Sequence, residues 1–160
     1  MLEQFRKNYE YNYWADDLFL KALTEMPNPP AKAIELMGHL VFASDIWLTR
    51  LMGEDLTRFT NPKPNYSLAE CREKLDALHL IWKNYLAGLK PEDLPKKIKT
   101  TNTKGKKFEH VVQNILVHVV NHGQYHLGQL ATLVHQNGGN RPFTDYIGYA
   151  GAIGESKEVL

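Results

Sequence analysis

The stretch from residue 108 to residue 136, FEHVVQNILVHVVNHGQYHLGQLATLVHQ, contains the longest apolar helical pattern in the chain. Its Val, Ile and Leu residues recur at steps of three and four, which is the period of an α-helix with one face turned towards a core. The pattern closes at an Asn-Gly-Gly sequence that starts at residue 137. It predicts one long helix over roughly 108–136, against which the rest of the chain packs.

Three further amphipathic patterns precede this helix. The first covers about residues 2–26 and is stopped by the sequence MPNPP, and the second covers about 31–52, with Gly53 as a candidate C-cap. The third follows Ser67, which can cap it in a capping box with Glu70. Four helices of about 20 to 29 residues with long connections favour a four-helix bundle.

Two shorter segments also have recognisable patterns. The segment 96–107, KKIKTTNTKGKK, alternates and predicts two strands around an Asn-Thr-Lys-Gly turn. The tail predicts one short helix from Thr144. The chain is therefore expected to be all-α: a four-helix bundle with a short β-hairpin before the last long helix and a short C-terminal helix, in a single domain over 1–160.

Composition excludes several classes of protein. The 160 residues are 43% hydrophobic, and 19 basic against 18 acidic side chains give a net charge of +1, so nothing favours a nucleic-acid partner. The sequence contains neither a signal peptide nor an apolar run of roughly 20 residues, which predicts a cytoplasmic protein with no membrane partner. Cys71 is the single cysteine, so we expect no intrachain disulfide, and its apolar helical context predicts a core position.

Three histidines fall four residues apart in the last long helix, at positions 118, 122 and 126. His122 and His126 are separated by a rise of about 6 Å on one face, so their imidazoles can reach one ion. The apolar row that includes Ile115 and Leu130 passes through this pair and predicts that it points towards the bundle axis. Two buried imidazoles without partners would cost about 1 to 3 kcal/mol each, whereas a metal would satisfy both. His118 lies at the margin of the face, where we expect it to support a ligand rather than bind the metal.

A pair on one helix needs at least one further ligand from another helix. His110 lies too far along the same helix, and His135 is on its opposite side. His39 and His79 both lie in apolar helical patterns, and the helical period does not choose between them.

Four segments, taken in order, resemble the DinB (damage-inducible) family of bacterial proteins. They are YNYWADDLFLKAL, GHLVFASDIWLTRLMG, HVVNHGQYHLGQL and PFTDYIGY, and the resemblance spans nearly the whole chain. It implies a four-helix bundle with a divalent metal held by a histidine triad, which transfers to His39, His122 and His126. His118 matches a histidine that is frequent in the family but is not usually a ligand, and His79 is left at the margin of the core.

Three positions near the triad also bear on the resemblance. Leu127 stands where family members often have Arg, which puts any anion contact of that arginine in doubt. Gly123 and Gly128 match the family pattern, although each costs a helix about 1 kcal/mol relative to Ala. We expect them to allow the close approach of another helix or subunit.

Three histidine ligands leave one coordination position open, which is the arrangement of catalytic rather than structural zinc. Zinc or nickel is the expected metal, and Asn121, Tyr125 and Gln129 are candidates to orient the imidazoles or a substrate. The resemblance implies a metal-dependent enzyme, either a thiol-dependent transferase or isomerase or a hydrolase, with a low-molecular-weight thiol as a candidate cofactor. The alternative is a non-enzymatic, stress-induced metal-binding or interaction protein. The resemblance also implies a homodimer, which we expect to form through long-helix faces that carry exposed aromatics of the first helix.

Overall fold

The computed structural model describes residues 1–61, 64–102 and 105–157. The predicted all-α architecture is confirmed, with a two-stranded hairpin before the last long helix and a short C-terminal helix. In chain order the elements are α1 (Leu2–Glu25), α2 (Ala31–Met52), α3 (Leu68–Gly88), a 3-10 turn (Pro91–Asp93), β1 (Lys97–Thr101), β2 (Lys107–Val111), α4 (Val112–Gln136) and α5 (Tyr146–Ala152).

The helix ends follow from local chemistry that the sequence displays. The Ser67 hydroxyl accepts a hydrogen bond from the Glu70 backbone N–H at 3.2 Å, and the Glu70 carboxylate accepts one from the Ser67 N–H at 2.8 Å. This capping box was predicted and is confirmed. Gly53 ends α2 with a φ of 70°, a left-handed conformation that favours glycine, so the predicted cap is also confirmed.

The start of the last long helix was predicted four residues too early. Residues 108–111 belong to β2, which pairs antiparallel with β1 from Lys97 opposite Val111 to Thr101 opposite Lys107. The helix begins at Val112, whose backbone N–H donates to the Lys96 carbonyl at 2.9 Å. The five-residue segment Lys-Phe-Glu-His-Val is too short for its sequence pattern to distinguish a strand from a helix. Its pairing with β1 is what identifies it as a strand. The middle of the predicted turn, residues 103 and 104, lies outside the described residues, as do residues 158–160 of the predicted domain.

The tail helix also differs slightly from the prediction. It begins at Tyr146 with Asp145 in the capping position, two residues after Thr144.

The four long helices share one core. Helix α4 packs against both α1 and α2, and α3 packs against the same two helices from the other side. Cys71 is completely buried, which confirms it as a core residue. The Trp82 indole N–H donates to the Ser44 hydroxyl at 2.9 Å and so ties α3 to α2. The position of α4 between α1 and α2 is what places its histidines beside residues of both helices.

The aromatic side chains of α1 do not form an exposed face, and that part of the dimer prediction is wrong. Tyr9 and Tyr11 are buried, and Tyr13 and Trp14 are half-buried. These aromatic side chains pack against other residues of the same chain; Tyr9, for example, stacks on Trp82 with ring centres 5.0 Å apart. The homodimer itself stays a prediction.

Within the described residues, no helix combines the length and the apolar character needed to cross a membrane.

Candidate metal centre

Three histidines meet between α2 and α4. His39 comes from α2, and His122 and His126 come from successive turns of α4. One nitrogen from each imidazole lies within 4.8 Å of the other two, and all three side chains are half-buried. The row of fully buried residues of α4 runs beside this pair rather than through it, so the pair faces α2 at the margin of the core instead of the bundle axis.

The two α4 imidazoles present the same nitrogen to a common point. His126 Nε2 lies 3.2 Å from His122 Nε2, and His126 Nδ1 lies 2.9 Å from the Gln129 side-chain oxygen. Because an amide oxygen can only accept, His126 Nδ1–H donates this bond, and the tautomer that does so leaves the Nε2 lone pair available to a metal. Two nitrogens that bind one tetrahedral zinc at its usual bond length are about 3.3 to 3.4 Å apart, so the observed spacing fits a shared divalent metal.

Electrostatics keep the centre in its metal-binding form. The pKa of His122 is lowered to about 4, chiefly by burial and in addition by the neighbouring imidazoles of His126, His39 and His118, which disfavour a second positive charge. His122 is therefore neutral at pH 7, as a metal ligand must be.

Two other histidines considered from the sequence lie outside this group. His118 is exposed, with its ring centre 5.4 Å from that of His122 and 5.0 Å from the ring of Trp47. His79 lies on α3 and stacks on Tyr13 with ring centres 3.7 Å apart. It belongs to the interface between α1 and α3, away from the three converging nitrogens.

The polar residues predicted near the ligands differ in what they touch. Gln129 holds the His126 ring through the hydrogen bond described above. Tyr125 is 66% exposed and meets His126 edge to face, with ring centres 5.1 Å apart. Asn121 is exposed and its side chain makes no hydrogen bond to any described residue. Of the three, Gln129 is the one placed to orient a ligand.

A cleft of about 600 Å³ opens beside the triad between the first half of α2 and the second half of α4. Leu36 and Leu133 form apolar walls, and an ion pair between Lys32 and Glu35, 3.1 Å long, stands at its edge. Its full lining is Lys32, Glu35, Leu36, His39, His126, Gln129, Thr132 and Leu133. The converging nitrogens are thus reached from a space large enough for a small molecule.

The sequence matches a known protein family over nearly its whole length. Residues 1–157 match the DinB family. The chain belongs to the DinB family. It is 28% identical over 154 residues to Protein DinB of Bacillus subtilis (strain 168), an alignment that covers 88% of this chain and 90% of the relative.

Sequence reasoning missed two polar residues beneath the triad of this DinB-family chain. Asn12 and Asp16 are 6% exposed and lie one turn apart on the face of α1 that packs on α4. The Asn12 amide N–H donates to Asp16 Oδ2 at 3.0 Å. The sequence does contain a signal for them. Asn12 and Asp16 are four residues apart and fall on the apolar face of the first helix, where polar residues are uncommon.

Gly123 explains how Asn12 fits there. A Cβ at position 123 would lie 2.2 Å from Asn12 Oδ1, so only glycine admits this side chain. The expected close approach of another helix is therefore confirmed at Gly123. At Gly128 a Cβ would meet no atom of the described residues within 4 Å, and no close approach is seen. Leu127, at the position of the family's frequent arginine, is 2% exposed and belongs to the core.

Asp16 gives the metal-free protein a pH-dependent stability. Burial raises the pKa of Asp16 from 3.8 to about 8, so between these values the unfolded chain ionises this carboxyl and the folded chain does not. The free energy of unfolding contributed by Asp16 is therefore lost as pH rises from about 4 to 8. Because Asn does not titrate, we expect the free energy of unfolding of Asp16→Asn to rise relative to that of wild type as pH increases over this range. The rise should be up to about 1.4 kcal/mol per pH unit. Urea unfolding of both metal-free proteins measures this difference, and a difference that does not change with pH would contradict it.

Proposed function

We propose that this DinB-family chain is a metal-dependent enzyme that binds zinc or nickel through His39, His122 and His126. The observation that supports this most strongly is the convergence of three imidazole nitrogens within 4.8 Å at the edge of an open cleft. A closed structural site would use four protein ligands, whereas three leave a position for water or substrate. The cleft is the route by which either would arrive.

When bound, such a metal supplies Lewis acidity, which lowers the pKa of bound water to about 7 or ionises a thiol. The reactions that fit are group transfer or isomerisation that uses a low-molecular-weight thiol, and hydrolysis. Among the described residues, no Asp or Glu side chain belongs to the three-histidine group. The ligands are therefore neutral, and they do not offset the positive charge of the metal. That charge favours an anionic nucleophile such as a thiolate or hydroxide.

The residues of the cleft have separate tasks in this proposal. Leu36 and Leu133 bind the apolar part of a substrate and exclude water from its reacting end. Gln129 holds the His126 ring, so that its Nε2 stays aimed at the common point.

The proposal is tested by separating metal binding from turnover. Leu133→Trp fills the cleft without removing a ligand, so we expect the variant to keep its metal and to lose turnover by about 10²-fold, because the substrate is displaced from the metal. The measurement is a screen of metal-loaded wild type against thiol adducts and activated esters, followed by kinetics of the variant on the best substrate. Leu80→Trp is the matched control, because Leu80 is 63% exposed on α3.

Two results would contradict parts of this proposal. Unchanged kinetics of Leu133→Trp, when the control is also unchanged, would contradict the role of the cleft as the substrate site. The other is a fully metal-loaded wild type without turnover across the screen, which would favour the non-enzymatic metal-binding alternative.

A further inference from the structure

Among the described residues, one carboxyl oxygen of Asp16 has a hydrogen-bond partner and the other has none. Oδ2 accepts a hydrogen bond from Asn12, whereas Oδ1 is fully buried and makes no hydrogen bond to any described residue. An unsatisfied buried carboxyl oxygen is costly, and such groups in native proteins generally contact an ordered water or ion.

The space beside this oxygen matches a water molecule. Asp16 lines a cavity of about 10 Å³ between α1, α2 and α4, which is about the smallest volume that holds one water. His122 and Ser44 line the same cavity, so a water there would have several polar partners. The remaining lining residues are Asn12, Leu40, Ala43, Trp47, Val119 and Gly123.

In the part of the chain that the structure describes, one nitrogen of His122 lacks the hydrogen-bond partner that a metal-binding histidine normally has. Its Nε2 faces His126 Nε2 at 3.2 Å and is committed to the triad. Its Nδ1 makes no hydrogen bond to any group in the described part of the chain. Metal-binding histidines almost always donate their second N–H to a carboxylate, a carbonyl or a water, which fixes the tautomer and the direction of the ring.

We propose that Asp16 is a positioning residue of the metal centre: one water in this cavity accepts a hydrogen bond from His122 Nδ1–H and donates one to Asp16 Oδ1. The link fixes the tautomer in which His122 Nε2 offers its lone pair to the metal. This inference rests on the metal centre proposed above. Oδ1 serves as the acceptor in this link in the ionised form of the carboxyl, which the positive charge of a bound metal favours.

Neighbouring residues hold Asp16 in this orientation. Asn12 binds Oδ2 through its N–H, and the Asn12 oxygen accepts in turn from the Gln124 side-chain amide at 3.3 Å, which sets the direction of the Asn12 amide. Gly123 provides the space in which Asn12 lies. With Oδ2 fixed, Oδ1 is the atom left to face the cavity.

The sharpest test is Asp16→Asn, which keeps the volume of the side chain and reverses one hydrogen bond. Because the Asn12 N–H still requires an acceptor, the new amide must turn its oxygen there and its NH2 group into the cavity. The water would then accept from this NH2 instead of donating to the carboxyl, which leaves an O–H group free to donate to His122 Nδ1. That bond stabilises the tautomer with the proton on Nε2, the nitrogen that must bind the metal. We expect the zinc affinity of the metal-free protein, measured by chelator competition, to fall about 10- to 100-fold.

Asp17→Asn is the matched control. It makes the same chemical change one residue later, where the carboxylate binds Arg72 and Lys21 at 2.7 Å and does not line the cavity. We expect its zinc affinity to equal that of wild type. In zinc-loaded wild type, NMR should show a slowly exchanging His122 Nδ1–H resonance that Asp16→Asn loses and Asp17→Asn keeps, a change that a purely structural role of Asp16 would not produce.

The outcomes separate the two proposals. If wild type binds zinc and Asp16→Asn binds it equally well, or keeps the Nδ1–H resonance, the role of Asp16 is overturned and the metal centre stands. If wild type itself binds neither zinc nor nickel, both the metal centre and the role of Asp16 are overturned.

Discussion

Replacing His122 with alanine is expected to weaken metal binding by about 10²- to 10⁴-fold, because each ligand of such a site contributes on the order of 3 to 5 kcal/mol. His39→Ala and His126→Ala should behave in the same way, since all three nitrogens lie within one group. The folded state should survive each change, because the three side chains are half-buried rather than part of the main core. Isothermal titration of metal-free protein with zinc and with nickel measures the loss.

His118→Ala and His79→Ala are the controls for this series. His118 lies on the same helix and in the same ladder, yet no nitrogen of it joins the group, and His79 packs between α1 and α3. Both variants are expected to bind metal like wild type. A loss of affinity in His118→Ala as large as that in His122→Ala would show that the ligand set has been assigned wrongly.

The two glycines of the last long helix should respond in opposite directions to alanine. Gly123→Ala brings a Cβ to 2.2 Å from Asn12 Oδ1, and Asn12 cannot swing away freely because it is buried and bound to Asp16 and Gln124. We expect a loss of about 1 to 3 kcal/mol in the free energy of unfolding from this overpacking. Gly128→Ala meets open space, so it should instead gain up to about 1 kcal/mol from helix propensity.

Urea unfolding of the metal-free proteins measures both effects, and a double variant identifies their cause. Removal of the obstructing amide in Asn12→Ala should make Gly123→Ala less costly, so the two changes should be non-additive. Equal stability changes at the two glycines, or strict additivity with Asn12→Ala, would contradict the close contact.

The helices of this chain were predictable because their signals are local. The Ser67 and Glu70 pair and Gly53 mark helix ends through contacts that span a few residues, and the structure reproduces them. The start of α4 was not predictable in this way, since residues 108–111 become a strand only through pairing with β1. Pairing with a strand about ten residues away in sequence has a larger effect on the conformation of this segment than its short helical pattern does.

Some features of the candidate site follow from local sequence, and others depend on how the helices pack. The pairing of His122 with His126 follows from helical spacing, whereas the choice of His39 over His79 needed either the family resemblance or the packing of α2 on α4. The half-buried position of the pair, the cleft and the cavity beneath depend on how three helices fit together. Asp16 was missed because no sequence pattern shows which buried carboxyl oxygen has no partner.

The most direct test of the proposed metal centre is the metal content of wild-type protein purified without a histidine tag. Elemental analysis should find about one equivalent of divalent metal per chain, and His122→Ala prepared in parallel should lose it. Less than about a tenth of an equivalent in wild type, with no uptake when zinc or nickel is added back, would contradict the proposed metal centre.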